Sequence, residues 1–190
     1  MADSPTQIYL PVRAALRKLS EAGLVRGLDD ANLDRLRSEC WDDSEEEMED
    51  AGVLGVITAY YPSVAEATKD GIVWHVTEFW QETEDLVAEL STALKIAPPL
   101  FRQTKVRTHL HRRSIDVERD DGTRSTLEVE SLLDVVEVFN AELKSRKRPE
   151  RLVPLDTSNE WEMVVAMDAQ TAKRLFAEGA LPVEPSFFST

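Results

Sequence analysis

His109-Leu110-His111 places two imidazoles on one face of an extended segment, a spacing that suits two ligands of a shared metal ion. A metal site needs at least a third ligand. The one remaining histidine, His75, lies on a distant element, and Lys105, Arg107 and Arg113 surround the pair with positive charge that opposes a cation. The sequence therefore predicts no metal site. The same strand face, with Lys105, Arg107, His109 and His111, could instead hold an anion or a small anionic ligand. It is a poor nucleic-acid surface, because no aromatic residue alternates with the bases as a stacking platform. The chain's net charge of −14 would also repel a phosphate backbone.

A second arrangement is acidic. Glu78, Glu82, Asp85 and Glu89 are spaced four, three and four apart, opposite the apolar positions of the same predicted helix. At 1.5 Å per residue they form a ridge about 16 Å long. Like charges at such spacings cost a helix about 0.2–0.5 kcal/mol per pair, and no lysine or arginine occurs between Lys69 and Lys95 to offset them. The ridge is a plain solvated face, is neutralised within the chain by the basic strand, or is kept as a docking surface for a basic protein.

Other chemistry finds no support. The single cysteine, Cys40, has no nucleophile motif around it and reads as a small buried hydrophobe beside Trp41. The 7 glycines form no phosphate-binding loop, and neither a Gly-x-Ser-x-Gly elbow nor a His-Glu-x-x-His helix is present. No catalytic residue and no cofactor is assigned. An enzyme whose active site the sequence hides stays open as an alternative, as does an anion-binding or small-ligand module.

The elements that must carry these residues divide at Pro98-Pro99. Before it the chain reads as helices. Val12, Ala15, Leu16, Leu19 and Ala22 mark one that Gly23 ends, and Leu33, Leu36 and Cys40 share a face of the next. Ser44 and Ser63 open helices at about 45–60 and just after 63 by capping-box patterns. Ile72, Val76, Phe79, Thr83, Leu86, Val87, Leu90 and Leu94 step by three and four. They predict a helix over 77–95, with a β-branched start that could form a short strand.

After the prolines the period is two. Val106, Thr108 and Leu110 share one parity and Ile115 and Val117 the other, which predicts one strand carrying a bulge near Arg112–Ser114. Asp120-Asp121-Gly122 marks a turn. An odd-length loop there would face Ile115 to Leu127 or Val129, with Gly122 at positive φ. Ser131 caps a helix, Leu152–Leu155 reads as an edge strand because of Pro154, and Trp161, Met163, Val165 and Met167 alternate along another strand. Asp168 caps a last helix that Gly179 stops.

The expected fold is α+β. A helical half (1–97) packs on a β-β-α-β-β-α half (100–180) whose four-stranded antiparallel sheet is covered by helices on one face, and 181–190 forms an extended tail. The 190 residues, 42 % hydrophobic, suffice for one compact unit. The Met1-Ala2-Asp3-Ser4-Pro5 start has no secretory pattern, and the longest uncharged run, Ala51–Ala65, is broken by Gly52, Gly55 and Pro62. With one cysteine the chain suits a reducing, cytoplasmic setting and no membrane. Residues 1–100 carry 20 acids against 8 bases, so the acidity is concentrated there. The function that follows is non-enzymatic: an acidic interaction protein that binds a basic protein, as immunity proteins or antitoxin-type inhibitors do.

Overall fold

The computed structural model describes residues 8–76, 86–109, 112–157 and 161–189. Along them run α1 (Val12–Glu21), α2 (Asp30–Cys40), α3 (Glu45–Tyr60), α4 (Val64–Lys69), β1 (Ile72–Val76), α5 (Leu86–Leu94), β2 (Phe101–His109) and β3 (Arg112–Arg119). There follow β4 (Arg124–Val129), α6 (Leu132–Ser145), β5 (Glu150–Pro154), β6 (Trp161–Asp168), α7 (Ala169–Ala177) and a 3₁₀ turn, Pro185–Ser189. The α+β character holds. No helix among the described residues is long and apolar enough to cross a membrane.

Helix starts follow local chemistry. Ser44, Ser63 and Ser131 each accept a hydrogen bond from the backbone N–H three residues on, and Asp168 accepts from those of Gln170 and Thr171. At α6 the Asp134 carboxylate returns the bond to the Ser131 N–H at 2.8 Å, closing a capping box. Helix α1 begins after Pro11, which has no capping side chain. Its first N–H, on Val12, is satisfied from another helix: both carboxylate oxygens of Glu49 in α3 accept from it at 3.0 Å. Helix α3 covers the predicted 45–60 but is interrupted. Gly52 stands at φ 67°, ψ 178°, well outside the helical region, a conformation that glycine adopts most readily.

The sheet arrangement differs from the expected four strands. Two antiparallel three-stranded sheets form, in the orders β1-β6-β5 and β2-β3-β4. The additional members have clear origins. Ile72–Val76, inside the helical-period run, is strand β1, paired in register with β6 from Ile72 opposite Val165 to Val76 opposite Trp161. The segment read as one bulged strand is two strands, with His109 opposite Arg112, so the parity change between Val106 and Ile115 marks a chain reversal. The bulge itself lies further back, between Gln103 and Lys105. The second half is therefore β-β-β-α-β-β-α. The β3–β4 hairpin forms as expected: Ile115 faces Leu127, and Arg119 N–H donates to the Thr123 oxygen at 2.8 Å across the loop 120–122. Gly122 there has φ 84°. As expected, β5 with Pro154 lies at a sheet edge.

The sheet β1-β6-β5 is covered on both faces rather than one. Along β6, Met163, Val165 and Met167 enter a core with α1, α2, α3 and α7, while Val164 enters a second core with α5, α6 and the inner face of β2-β3-β4. Ile72 and Val153 point to the first core, Val73 and Leu152 to the second. The C-terminal stretch is no loose extended tail. Leu181 and Val183 are fully buried, Val183 bridges to Leu155, and Phe187 and Phe188 pack on the first core. Close by, Leu10 N–H donates to the Gly179 oxygen at 2.8 Å. A Cβ on Gly179 would collide with the Ile8 carbonyl oxygen.

Two cores separated by one sheet should respond independently. Met163→Ala should cost about 2–5 kcal/mol and Phe139→Ala about 3–5 kcal/mol. The double variant should equal their sum within about 0.5 kcal/mol, as for distant sites. Urea denaturation of the set measures this, and a coupling well beyond that margin would mean that the cores share one packing unit.

Candidate functional site

Of the predicted acidic ridge, Glu78, Glu82 and Asp85 lie outside the described residues. Glu89, on α5, does not stand free on a solvated face. Its Oε2 lies 2.9 Å from Nε2 of His75 on β1, and the two side chains are 32 % and 11 % exposed. Directly across from His75, β6 places Glu162. The Glu162 carboxylate accepts the Leu132 N–H, at the start of α6, at 2.9 Å. Burial raises its carboxyl above the ordinary range, and the nearby Asp134 charge adds to the rise. The Leu132 hydrogen bond and His75 work in the opposite direction.

His75, Glu89 and Glu162 thus form a half-buried polar cluster at one end of the sheet, joining β1, β6, α5 and the α6 N-terminus. An imidazole between carboxylates could relay a proton. None of the three lines the clefts described below. Sequence reasoning missed this cluster because His75 was weighed only as a distant third metal ligand and Glu162 was not singled out.

The basic strand face is interleaved with acids. Both terminal nitrogens of Arg107 bind Asp116, at 2.9 and 2.5 Å, and Asp116 also accepts from the Thr126 hydroxyl at 2.7 Å. The guanidinium holds Asp116 below the usual carboxylate range. Lys105 sits opposite Asp116 in register, and Glu118 bridges Arg102 and Arg124 at 2.5 and 2.8 Å. The side chain of His109 and all of His111 lie outside the described residues. Arg113 is not on this face at all. Only 3 % exposed, it shares the inward parity of Ile115 and Val117. Among the described residues no group of three or more His, Cys, Asp or Glu could hold a metal ion. Cys40, expected to be buried, is exposed at the end of α2.

The acidic run after Trp41 divides into two populations. Glu45 binds Arg13 at 2.6 Å and Arg37 at 2.9 Å, and Arg13 reaches Asp34 at 2.7 Å, tying α1, α2 and α3 together. Hydrogen bonds from the two guanidinium groups lower the Glu45 carboxyl to about 2. Glu49 caps α1. In contrast, Asp42, Glu46, Glu47 and Asp50 are exposed and make no ion pair among the described residues.

Three concavities stand out among the described residues. A cleft of about 440 Å³ lies between α5 and β2, and a polar recess of about 220 Å³ lies around Gly71. A largely apolar groove of about 600 Å³ runs between Tyr9–Val12, the broken part of α3 and Ala180–Pro182. Comparison with protein-family models, with curated proteins and with solved structures finds no match.

Two titrations follow from this geometry. The lowered Glu45 carboxyl contributes stability above its ordinary pKa near 4.5 and loses it as pH falls toward 2. Glu45→Gln should therefore cost less than about 1 kcal/mol at neutral pH, because solvent screens a half-exposed pair. That difference should shrink as pH falls from about 4.5 toward 2 in denaturation midpoints followed against pH. Glu162 has the opposite sign. Its raised carboxyl contributes stability that is complete at low pH and lost as pH rises through the folded-state value. Glu162→Gln keeps an acceptor for Leu132, so it should be at least as stable as wild type at pH 7, with the advantage shrinking as pH falls. A destabilised variant at pH 7 would show that the charge itself holds the cluster together.

Proposed function

We propose that this chain is a non-enzymatic interaction protein that docks a basic protein on the acidic surface of its N-terminal half. The immunity or antitoxin-type inhibitor is the class it fits. One observation carries the reading. At the corner between α2 and α3, Asp42, Glu46, Glu47 and Asp50 are exposed and make no ion pair among the described residues, although neighbouring acids are matched to Arg13 and Arg37. Uncompensated like charge on a surface favours a partner of the opposite sign, raising association rates and excluding wrong partners. Glu78, Glu82 and Asp85, expected as partner-binding residues, lie outside the described residues and carry no part of the reading. Glu89 is assigned to the His75 cluster instead.

The alternative anion site on Lys105 and Arg107 has less in its favour, since Arg107 is matched to Asp116. No nucleic acid, membrane or cofactor enters the proposal.

The test uses a corner variant, Glu46→Gln with Glu47→Gln and Asp50→Asn, and a control that removes equal charge elsewhere by Glu21→Gln, Glu128→Gln and Glu137→Gln. Basic proteins crosslinked to the native chain are identified, and association of the purified pair is followed at several ionic strengths. The corner variant should associate about tenfold or more slowly at low salt and show a flatter salt dependence. The control should behave nearly as wild type. Folding stability of the corner variant should change by no more than about 1 kcal/mol, because the lost dipole interaction and the relieved repulsion oppose each other. Equal slowing by both variants would reduce the effect to net charge and sink the assignment.

A further inference from the structure

Acidic surfaces steer partners, but lasting complexes need a desolvated anchor. The groove between the N-terminal segment and α3 has the shape and composition for one. Its walls are Tyr9, Leu10, Pro11, Val53, Leu54 and Pro182. Tyr9 in its wall is 48 % exposed and the preceding Ile8 89 %, the two large hydrophobic side chains left exposed among the described residues. Contiguous exposed apolar surface of this kind commonly marks an interaction site. The break at Gly52 shapes one wall: α3 departs from helical geometry where Ala51, Gly52, Val53 and Leu54 meet the groove.

The charged lining residue is Glu49, and two further acids flank the groove. Asp50, exposed, lies between the groove-lining Glu49 and Ala51. On the other side the exposed Asp156 donates its N–H to the Pro182 oxygen at 2.8 Å, and its carboxylate stands close enough to Tyr9 to add to the rise that burial causes in the phenol. Glu49 directs both its oxygens to Val12, so its charge is fixed in the wall.

We infer that this groove receives a segment of the partner protein bearing a large apolar side chain flanked by lysine or arginine. The apolar group fills the space between Tyr9 and Leu54, and the flanking cations meet Asp50 and Asp156. The inference rests on the acidic-docking reading above and adds the point at which the partner is gripped.

The probe is a labelled peptide with a central tryptophan between lysine pairs. Its counterparts carry serine in place of the tryptophan, or glutamate in place of the lysines. Binding to the full chain is read by fluorescence anisotropy. Ala51→Trp plugs the groove from an exposed position and should weaken the tryptophan–lysine peptide about tenfold or more, the loss expected of an anchor pocket. Tyr9→Ala, which removes a wall from the surface side, should weaken it in the same direction and serves if the tryptophan variant folds poorly. Asp50→Asn with Asp156→Asn should weaken binding at low salt and converge on wild type at high salt. Both counterpart peptides should bind weakly.

Unchanged binding to Ala51→Trp and Tyr9→Ala would overturn the groove assignment. The broader reading would survive that result if the corner variant still slowed the basic partner. Conversely, loss of peptide binding in Ala51→Trp beside unaltered partner association in the corner variant would keep the groove and remove the broader reading. Tighter peptide binding after deletion of residues 1–7, or a dimer that Ala51→Trp dissolves, would show that the chain itself fills the groove and would also overturn the inference.

Discussion

The structure depends on β6 being buried on both faces. A strand in that position cannot alternate apolar with polar residues, and through its middle it does not. Met163, Val164 and Val165 are all buried, and Ala166 packs against the second core. Each face then demands its own cover. The chain supplies α1, α2, α3 and α7 to one side, and α5, α6 and a second sheet to the other. Where β6 reaches the rim the constraint relaxes, and Glu162 appears beside His75 and the first N–H of α6. The polar cluster is thus a boundary feature. It closes the edge of the second core with groups that satisfy one another, at the cost of a carboxylate held where water is scarce.

The same division of labour explains the charge. A chain of −14 cannot match every acid. Those nearest the helix junctions are matched: Glu45 links Arg13 to Arg37, Glu49 caps α1, and Asp120 holds Arg146 at 2.7 Å beside the β3–β4 turn. Among the acids that make no ion pair among the described residues are four at the corner of α2 and α3, adjoining a groove that exposes aromatic and aliphatic surface. Long-range attraction and short-range apolar contact are complementary parts of recognition, because the first governs encounter and the second governs residence. Their adjacency on α3 is what the proposed docking reading draws on, in contrast to the salt-laced outer face of β2-β3-β4.

How much of this was legible in the sequence depended on whether the signal was local. The caps at Ser44, Ser63, Ser131 and Asp168 were readable because a capping residue acts on N–H groups two or three positions away. The loop 120–122 was readable because a mispaired register would have put Ile115 opposite a charge. Strand β1 was only half legible, as a β-branched start that could be a short strand. Ile72 and Val73 are buried in different cores, so the segment lacks simple alternation, and its spacing to Phe79 and Leu86 imitated a helix face. The β2–β3 reversal was hidden because Leu110-His111 contains no glycine, proline, asparagine or aspartate to announce a turn. The site was least legible of all. Pairing Glu89 with His75 and Glu162 requires three elements to converge, and no spacing along the chain encodes that.

The contact between Leu10 and Gly179 has a bearing on how the molecule is made. Leu10, Val12 and Leu16 emerge early in translation, yet the first core is completed by Leu175, Leu181 and Val183. At about 5–20 residues per second, the apolar stripe of α1 is out for roughly 10–30 s before the chain that covers it exists. During that interval α1 can pack on α2 and α3, to which Glu49 and Arg13 tie it in the finished fold. Gly179 lies where the late chain meets the early segment. Any side chain there would obstruct that last closure.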